Sequence, residues 1–308
     1  MQKYPAIVKV VRVVSAILAL LYLVNIALNP RWLNPIELFI VSFLIFTVIG
    51  QTKELTVRML PFVVIIMVYE AFRGIADNLN GRVGYQWLID ADRTLFGEVP
   101  TLKLQEWLWT GSANWFDSIL YLNYMLHFVV PWLLAIIIWK KRDNYYWRYL
   151  SSIVVVSYLG FVTFLVIPSA PPWLASNEGY LPETANIVGS VWEKLGLTST
   201  PEQIQIDIAP NPVAAVPSLH AAYATIIMVY SLRLFRSKLR YLSVIYFCGI
   251  IFGAMYLTQH YFIDLLIGGF YAGVSMLIVH RTSFVEKSSS LIKKINKFLD
   301  PRRFISKL

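Results

Sequence analysis

Gly253-Ala254-Met255-Tyr256-Leu257-Thr258-Gln259-His260-Tyr261-Phe262-Ile263-Asp264 is where one apolar run of this 308-residue chain closes and the next opens. At that junction His260 and Asp264 stand four positions apart. On a helix this spacing stacks two side chains on one face, so Asp264 can hold one nitrogen of His260 and leave the other to react. Working outward, the flanking apolar runs cover 241–258 and 261–279, with 218–235 before them. Earlier runs cover 7–28, 36–50, 56–72, 117–139 and 150–167. A bilayer core takes roughly 20 helical residues. The pattern therefore predicts an all-α integral membrane protein with about eight transmembrane helices, the last six forming a core. Residues 1–55 are expected to be an N-terminal pair of spans, 56–280 the membrane core, and 281–308 a tail. The second run, Ile36 to Gly50, is short and is expected to be a tilted hairpin partner of the third.

Composition agrees. The chain is 57% hydrophobic and 15% charged, against about 25% charged in a typical soluble domain. Its net charge of +9 suits cytoplasmic loops better than a nucleic-acid partner, and no nucleic acid is expected. The run from residue 7 to Leu28 exceeds a signal-peptide core and is read as a retained span. Cys248, the single cysteine, falls in an apolar run and is expected to be buried and quiet. Lys140, Lys141, Arg142 and Arg148 lie between runs four and five, and Arg233, Arg236, Lys238 and Arg240 between six and seven. The loop 168–217 is acidic, with Glu178, Glu183, Glu193, Glu202 and Asp207 against Lys194 alone. Eight spans put every basic segment on one side, so both termini are expected in the cytoplasm and the acidic loop outside. Segment 73–116 mixes charges with Trp87, Trp107, Trp109 and Trp115, which predicts short interfacial helices on the outer leaflet. In the tail, Leu291, Ile292, Ile295, Phe298 and Leu299 alternate with Lys293, Lys294 and Lys297, the pattern of a basic amphipathic helix for an anionic leaflet.

This topology brings Arg73, Asp77, Ser218, His220, His260 and Asp264 to one outer surface. In Pro217-Ser218-Leu219-His220, the serine is a favoured N-cap, and the amides behind it are suited to an anion. The plain alternative is a capped helix whose histidine rests among headgroups. His260 and Asp264 fit a nucleophile with its orienting carboxylate. They also fit metal ligation with His220 or His127 as a third ligand, or a hydrogen-bonded clamp between helices. Ionisable groups at membrane depth are costly and favour function. His127, before Pro131, reads as a buried histidine tied to a neighbouring helix, or as a polar contact to substrate. His280 reads as interfacial. A transporter would carry matched broken helices with ionisable groups near the midplane, whereas the charges here gather at helix ends. A lipid-sensing membrane protein without chemistry is the other rival.

These residues carry a resemblance. Ser218 with His220, and His260 with Asp264, resemble the second and third signature motifs of the type-2 phosphatidic acid phosphatase superfamily, Pro-Ser-x-His and His-x-x-x-Asp. Arg73-Gly74-Ile75-Ala76-Asp77, Leu95-Phe96-Gly97 with Val99-Pro100, Ala170-Pro171-Pro172-Trp173 and Asn211 to His220 look more like its inositol phosphorylceramide synthase branch. The resemblance covers roughly 70–280. It implies a lipid phosphate or phospholipid donor, a hydroxyl acceptor or water, no metal, no cofactor and a phosphohistidine at His260. Asp264 would orient that histidine, His220 would move the proton, and Ser218 would help hold the phosphate. The superfamily's Lys-x6-Arg-Pro motif is absent at 168–173, and Ala254 stands where an arginine usually precedes the third motif. Phosphoryl transfer needs its charge neutralised. Arg73 is therefore expected to supply the cation, with Asp77 beside it; the alternative is a local surface pair of the two.

Overall fold

Apolar side chains organise the computed structural model, which describes residues 5–28, 35–76, 81–196 and 211–282, into helices, with no strands among the described residues. Two compact units divide the chain between Val68 and Tyr69. In the first, α1 (Pro5–Leu28) and α2 (Pro35–Val48) each start on a proline, where the missing amide is harmless. They pack on each other, and the Tyr22 hydroxyl donates to Glu37 at 2.9 Å. The principal packing partner of α2 is thus α1, not the third helix. Gly50, at φ +76°, ends α2 in the left-handed conformation that glycine adopts without strain. α3 (Thr52–Ala76) follows.

Among the described residues the second unit, Tyr69–Arg281, contains the end of α3 and ten further α-helices. They are α4 (Gln86–Phe96), α5 (Pro100–Leu108), α6 (Trp115–Met125), α7 (Val130–Lys141), α8 (Asp143–Val166), α9 (Pro172–Asn177), α10 (Ile187–Lys194), α11 (Leu219–Leu234), α12 (Leu242–Tyr256) and α13 (Phe262–Arg281). The core is α11 against α8, α12 and α13. The predicted continuous helix at 117–139 is instead α6 and α7, bent by 53° around a 3-10 turn at Leu126–Phe128. Pro131 explains the break, since it lacks the amide for the preceding turn and its ring crowds it.

Among the described residues five helices are long and apolar enough to cross a membrane, six if α6 and α7 form one span. α2 and α11 are shorter apolar helices, so the expected count of eight rests on those two. α11 is short because it starts inside the protein. Leu219 packs on Gly160, six residues and about 9 Å before the end of α8. The chain reaches this depth through extended segments bonded in parallel: Gly84 with Pro168 and Ala170, and Ser169 with Val213 and Ala215.

α4 and α5 turn apolar faces inward. Leu88, Ile89 and Val99 cluster with Ala175, Leu181, Ala215, Val216 and Tyr261. Trp87, Trp107 and Trp115 stay exposed, as interfacial residues do, but these helices also roof the region around Tyr261. Cys248 is exposed, correcting its expected burial. On a spanning helix the outward face can be as apolar as the inward one, so an apolar run does not say which way a side chain points. The Arg142 guanidinium donates to the Leu234 carbonyl at 3.0 Å, gathering the α7–α8 turn at the end of α11 opposite Ser218. His280 meets the Tyr230 hydroxyl at 3.3 Å near that same end. The tail pattern at 291–299 lies outside the described residues.

α13 packs so closely on the start of α11 that Gly268 has no room for a methyl group. A Cβ there would lie 2.2 Å from the Ser218 carbonyl oxygen. Backbone cannot swing aside, so Gly268→Ala is expected to destabilise the protein by about 1–3 kcal/mol. Gly273→Ala, where a Cβ meets nothing within 4 Å, is expected to be neutral or stabilising. Thermal unfolding of the two variants in detergent checks this contrast.

Candidate active site

The end of α12 shapes the turn that carries His260. Leu257 donates its amide to Gly253, and the amides of Gln259 and His260 both reach the Ala254 carbonyl, at 2.9 and 3.1 Å. Thr258 takes φ +60°, a left-handed conformation uncommon outside glycine. Its carbonyl accepts the Trp173 amide at 3.1 Å. His260 therefore sits in a turn just ahead of α13, not within a helix. Asp264 lies in the first turn of α13. Its Oδ2 accepts the Tyr261 amide at 3.1 Å, the reciprocal half of a capping box.

The expected pair does meet. His260 Nδ1 lies 3.3 Å from Asp264 Oδ1, and both residues are buried. The two atoms are close enough to pair but are not aligned as a hydrogen bond, and catalytic contacts commonly tighten with substrate. On the other side of the ring, His260 Nε2 lies 3.3 Å from His220 Nδ1. A carboxylate at Nδ1 keeps the proton on that nitrogen, which leaves Nε2 with its lone pair. His220 then donates Nδ1–H toward it. The three groups line up as carboxylate, nucleophile and proton carrier.

Ser218 caps α11. Its Oγ accepts the Ala221 amide at 3.3 Å and its own amide donates to the Asp264 carbonyl at 3.1 Å. This second bond ties the two motifs together through the backbone. His127 sits in the turn between α6 and α7, its ring centroid 4.1 Å from that of His220 and 4.8 Å from Tyr223, nearly parallel to the latter. Among the described residues no three His, Cys, Asp or Glu side chains are arranged to hold a metal ion. Arg73 falls in the last turn of α3; its side chain and all of Asp77 lie outside the described residues.

Three partners escaped the sequence. Tyr124 stacks on His220 at 4.2 Å between centroids, and its hydroxyl lies 3.4 Å from His220 Nδ1. The Thr101 hydroxyl donates to the His260 carbonyl at 3.3 Å. Asp92, fully buried, accepts the amides of Phe262 and Ile263, both at 3.0 Å. Hydrogen bonds to a charged acceptor stabilise by roughly 1.5–3 kcal/mol each. Burial pushes the Asp92 carboxyl up from its ordinary range, while the two amides pull it back down. A signal existed for Asp92: with Leu88 and Ile89 it occupies the inward face of α4, an improbable place for a solvated acid.

The sequence model of the PAP2 superfamily matches residues 86–278. The chain belongs to the PAP2 superfamily. Among relatives within reach of this PAP2 chain is a phosphoinositol dihydroceramide synthase of Bacteroides thetaiotaomicron, 29% identical over 277 residues, covering 83% of this chain and 86% of that protein. The inositol phosphorylceramide synthase catalytic subunit AUR1 of Saccharomyces cerevisiae is 25% identical over 230 residues, covering 72% of this chain and 55% of its own. The inositol phosphorylceramide synthase of Candida albicans is 25% identical over 254 residues, with 80% and 52% covered. The PAP2 chain thus spans about half the length of the fungal proteins. No solved structure matches it significantly. This PAP2 protein is a multi-pass membrane enzyme of the lipid phosphotransferase and phosphatase kind.

Proposed function

We propose that the protein transfers a phosphoinositol unit from a glycerophospholipid to the hydroxyl of a ceramide-type lipid, through a phosphohistidine at His260. The observation that carries this reading is the alignment of Asp264, His260 and His220, with His260 Nε2 directed at His220 Nδ1 3.3 Å away. The activities for which the relatives are named supply the substrate classes. His260 Nε2 attacks phosphorus, the bond from phosphorus to the diacylglycerol oxygen breaks, and that oxygen takes the proton from His220. The acceptor hydroxyl then gives its proton to His220 and attacks the same phosphorus. The P–N bond breaks and the electron pair returns to Nε2. Asp264 stabilises the imidazolium in both halves. The N-terminal amides of α11, with the Ser218 hydroxyl, face the non-bridging oxygens, and Arg73 supplies positive charge to the phosphate. His127 and Tyr124 hold the His220 ring. The basic turns at the opposite end of α11 support an extracytoplasmic site with both termini in the cytoplasm.

Purified enzyme given labelled phosphatidylinositol is expected to form labelled phosphosphingolipid only when dihydroceramide is present. Release of inositol phosphate at the same rate with or without acceptor would instead make the protein a phospholipid hydrolase, with water as the acceptor. Orthovanadate, a mimic of the pentacoordinate phosphorus, is expected to inhibit at millimolar levels or below. Undiminished turnover there would count against the phosphohistidine route.

A further inference from the structure

The turn that carries His260 hangs from the roof above it. Gln105 of α5 donates to the Tyr256 carbonyl at 3.2 Å, Thr101 of α5 to the His260 carbonyl at 3.3 Å, and Trp173 of α9 to the Thr258 carbonyl at 3.1 Å. On the other flank Asp92 of α4 takes the amides of Phe262 and Ile263. Residues 256–263 are thus held from outside the bundle on both sides of the nucleophile. Asp92 differs from the other anchors. It is a carboxylate with no measurable exposure, it grips two consecutive amides, and it does so across 170 residues of chain. Those two amides open α13, the helix whose first turn carries Asp264. They lie where the positive end of a helix would otherwise draw an anion.

We propose that Asp92 is a positioning residue for the transfer reaction, clamping the start of α13 so that Asp264 Oδ1 and His260 Nδ1 keep their register; this rests on the function proposed above. Asp92 acts through Asp264 and the 260–263 turn and touches no reacting atom. An asparagine at this position has one acceptor oxygen for two amides, and its NH₂ group would face the second amide donor to donor. That tilts the first turn of α13 with little change in the apolar contacts of α4. A displacement on the order of 1 Å at a catalytic pair reduces rate about 100-fold while leaving remote binding intact. The clamp therefore predicts a split between kcat and KM.

The test uses the full chain in lipid nanodiscs with phosphatidylinositol and dihydroceramide as probes. Asp92→Asn is expected to lower kcat by about 10- to 100-fold, with KM within about threefold and a monodisperse, cooperatively unfolding protein. Asp90→Asn, whose carboxylate accepts from Gln86 on the exposed side of α4, is expected to match wild type. If Asp92→Asn does not yield folded protein, Thr101→Val, which removes the bond on the other flank of His260, carries the same expectation at about a 10-fold loss. A wild-type enzyme that transfers while the folded Asp92 variant (or, failing that, the Thr101 variant) matches it within threefold overturns the positioning role alone. So does a variant whose KM rises while kcat holds. A wild-type chain that performs no transfer overturns the proposed function and the clamp with it.

Discussion

His260→Gln is expected to abolish phosphoinositol transfer, lowering kcat by at least on the order of 10⁴-fold, in a protein that still folds. The folding expectation comes from the way the backbone is held. The amide of His260 donates to Ala254 and its carbonyl accepts from Thr101, and neither bond involves the imidazole. Glutamine keeps polar atoms facing Asp264 and His220, so no buried carboxylate loses all hydrogen-bond contact. The missing ingredient is a nitrogen lone pair able to bond phosphorus. Intact-protein mass spectrometry after a neutral quench is expected to show a phosphoinositol adduct on wild type and none on the variant. Transfer at near wild-type rate by His260→Gln would remove the covalent route. Loss of turnover with the adduct still present would move the nucleophile to another residue.

How much of this could be read from residues alone follows from what each feature depends on. The apolar runs located the long helices because burial in lipid requires continuous apolarity whatever the helix packs against. The union of Ser218, His220, His260 and Asp264 was legible because charge asymmetry between loops places helix ends. What failed depends on partners distant in sequence or on direction. α2 chose α1 over α3, a matter of facing surfaces that 14 apolar residues do not disclose. Cys248 points outward for the same reason. The break at Leu126–Phe128 was announced by Pro131, but proline within a spanning helix also occurs without a break, as Pro61 inside α3 demonstrates. Asp92 was hidden among the acids of 73–116 because its function lies in two amides 170 residues away. His260 was expected on a helix face, yet the i,i+4 contact with Asp264 forms from a turn. An N-cap region and the third helical residue are close enough for the same pairing.

Asp264→Asn separates orientation from mere packing and is expected to cost about 10³- to 10⁴-fold in kcat with KM little changed. Asp264 does two things: Oδ2 accepts the Tyr261 amide, and Oδ1 faces His260 Nδ1 at 3.3 Å. Asparagine keeps one acceptor, and the capping bond at Tyr261 holds it there because the amide has nowhere else to go. The NH₂ group is then presented to His260 Nδ1. A donor at Nδ1 selects the opposite tautomer, with the proton on Nε2, the atom that must attack. The neutral amide also gives no charge to stabilise the imidazolium that forms. Fold stability is expected to hold or rise, since removing a fully buried charge relieves its desolvation. Asp264→Ala loses the capping bond as well and is expected to unfold more easily, by about 1 kcal/mol, while being no less impaired in rate. Measured together by steady-state kinetics and thermal unfolding, the two variants should part in stability and agree in rate. Asp264→Asn working within tenfold of wild type would leave His260 needing no carboxylate, and the pair would then be a clamp between the α12–α13 turn and the first turn of α13 rather than the reaction centre.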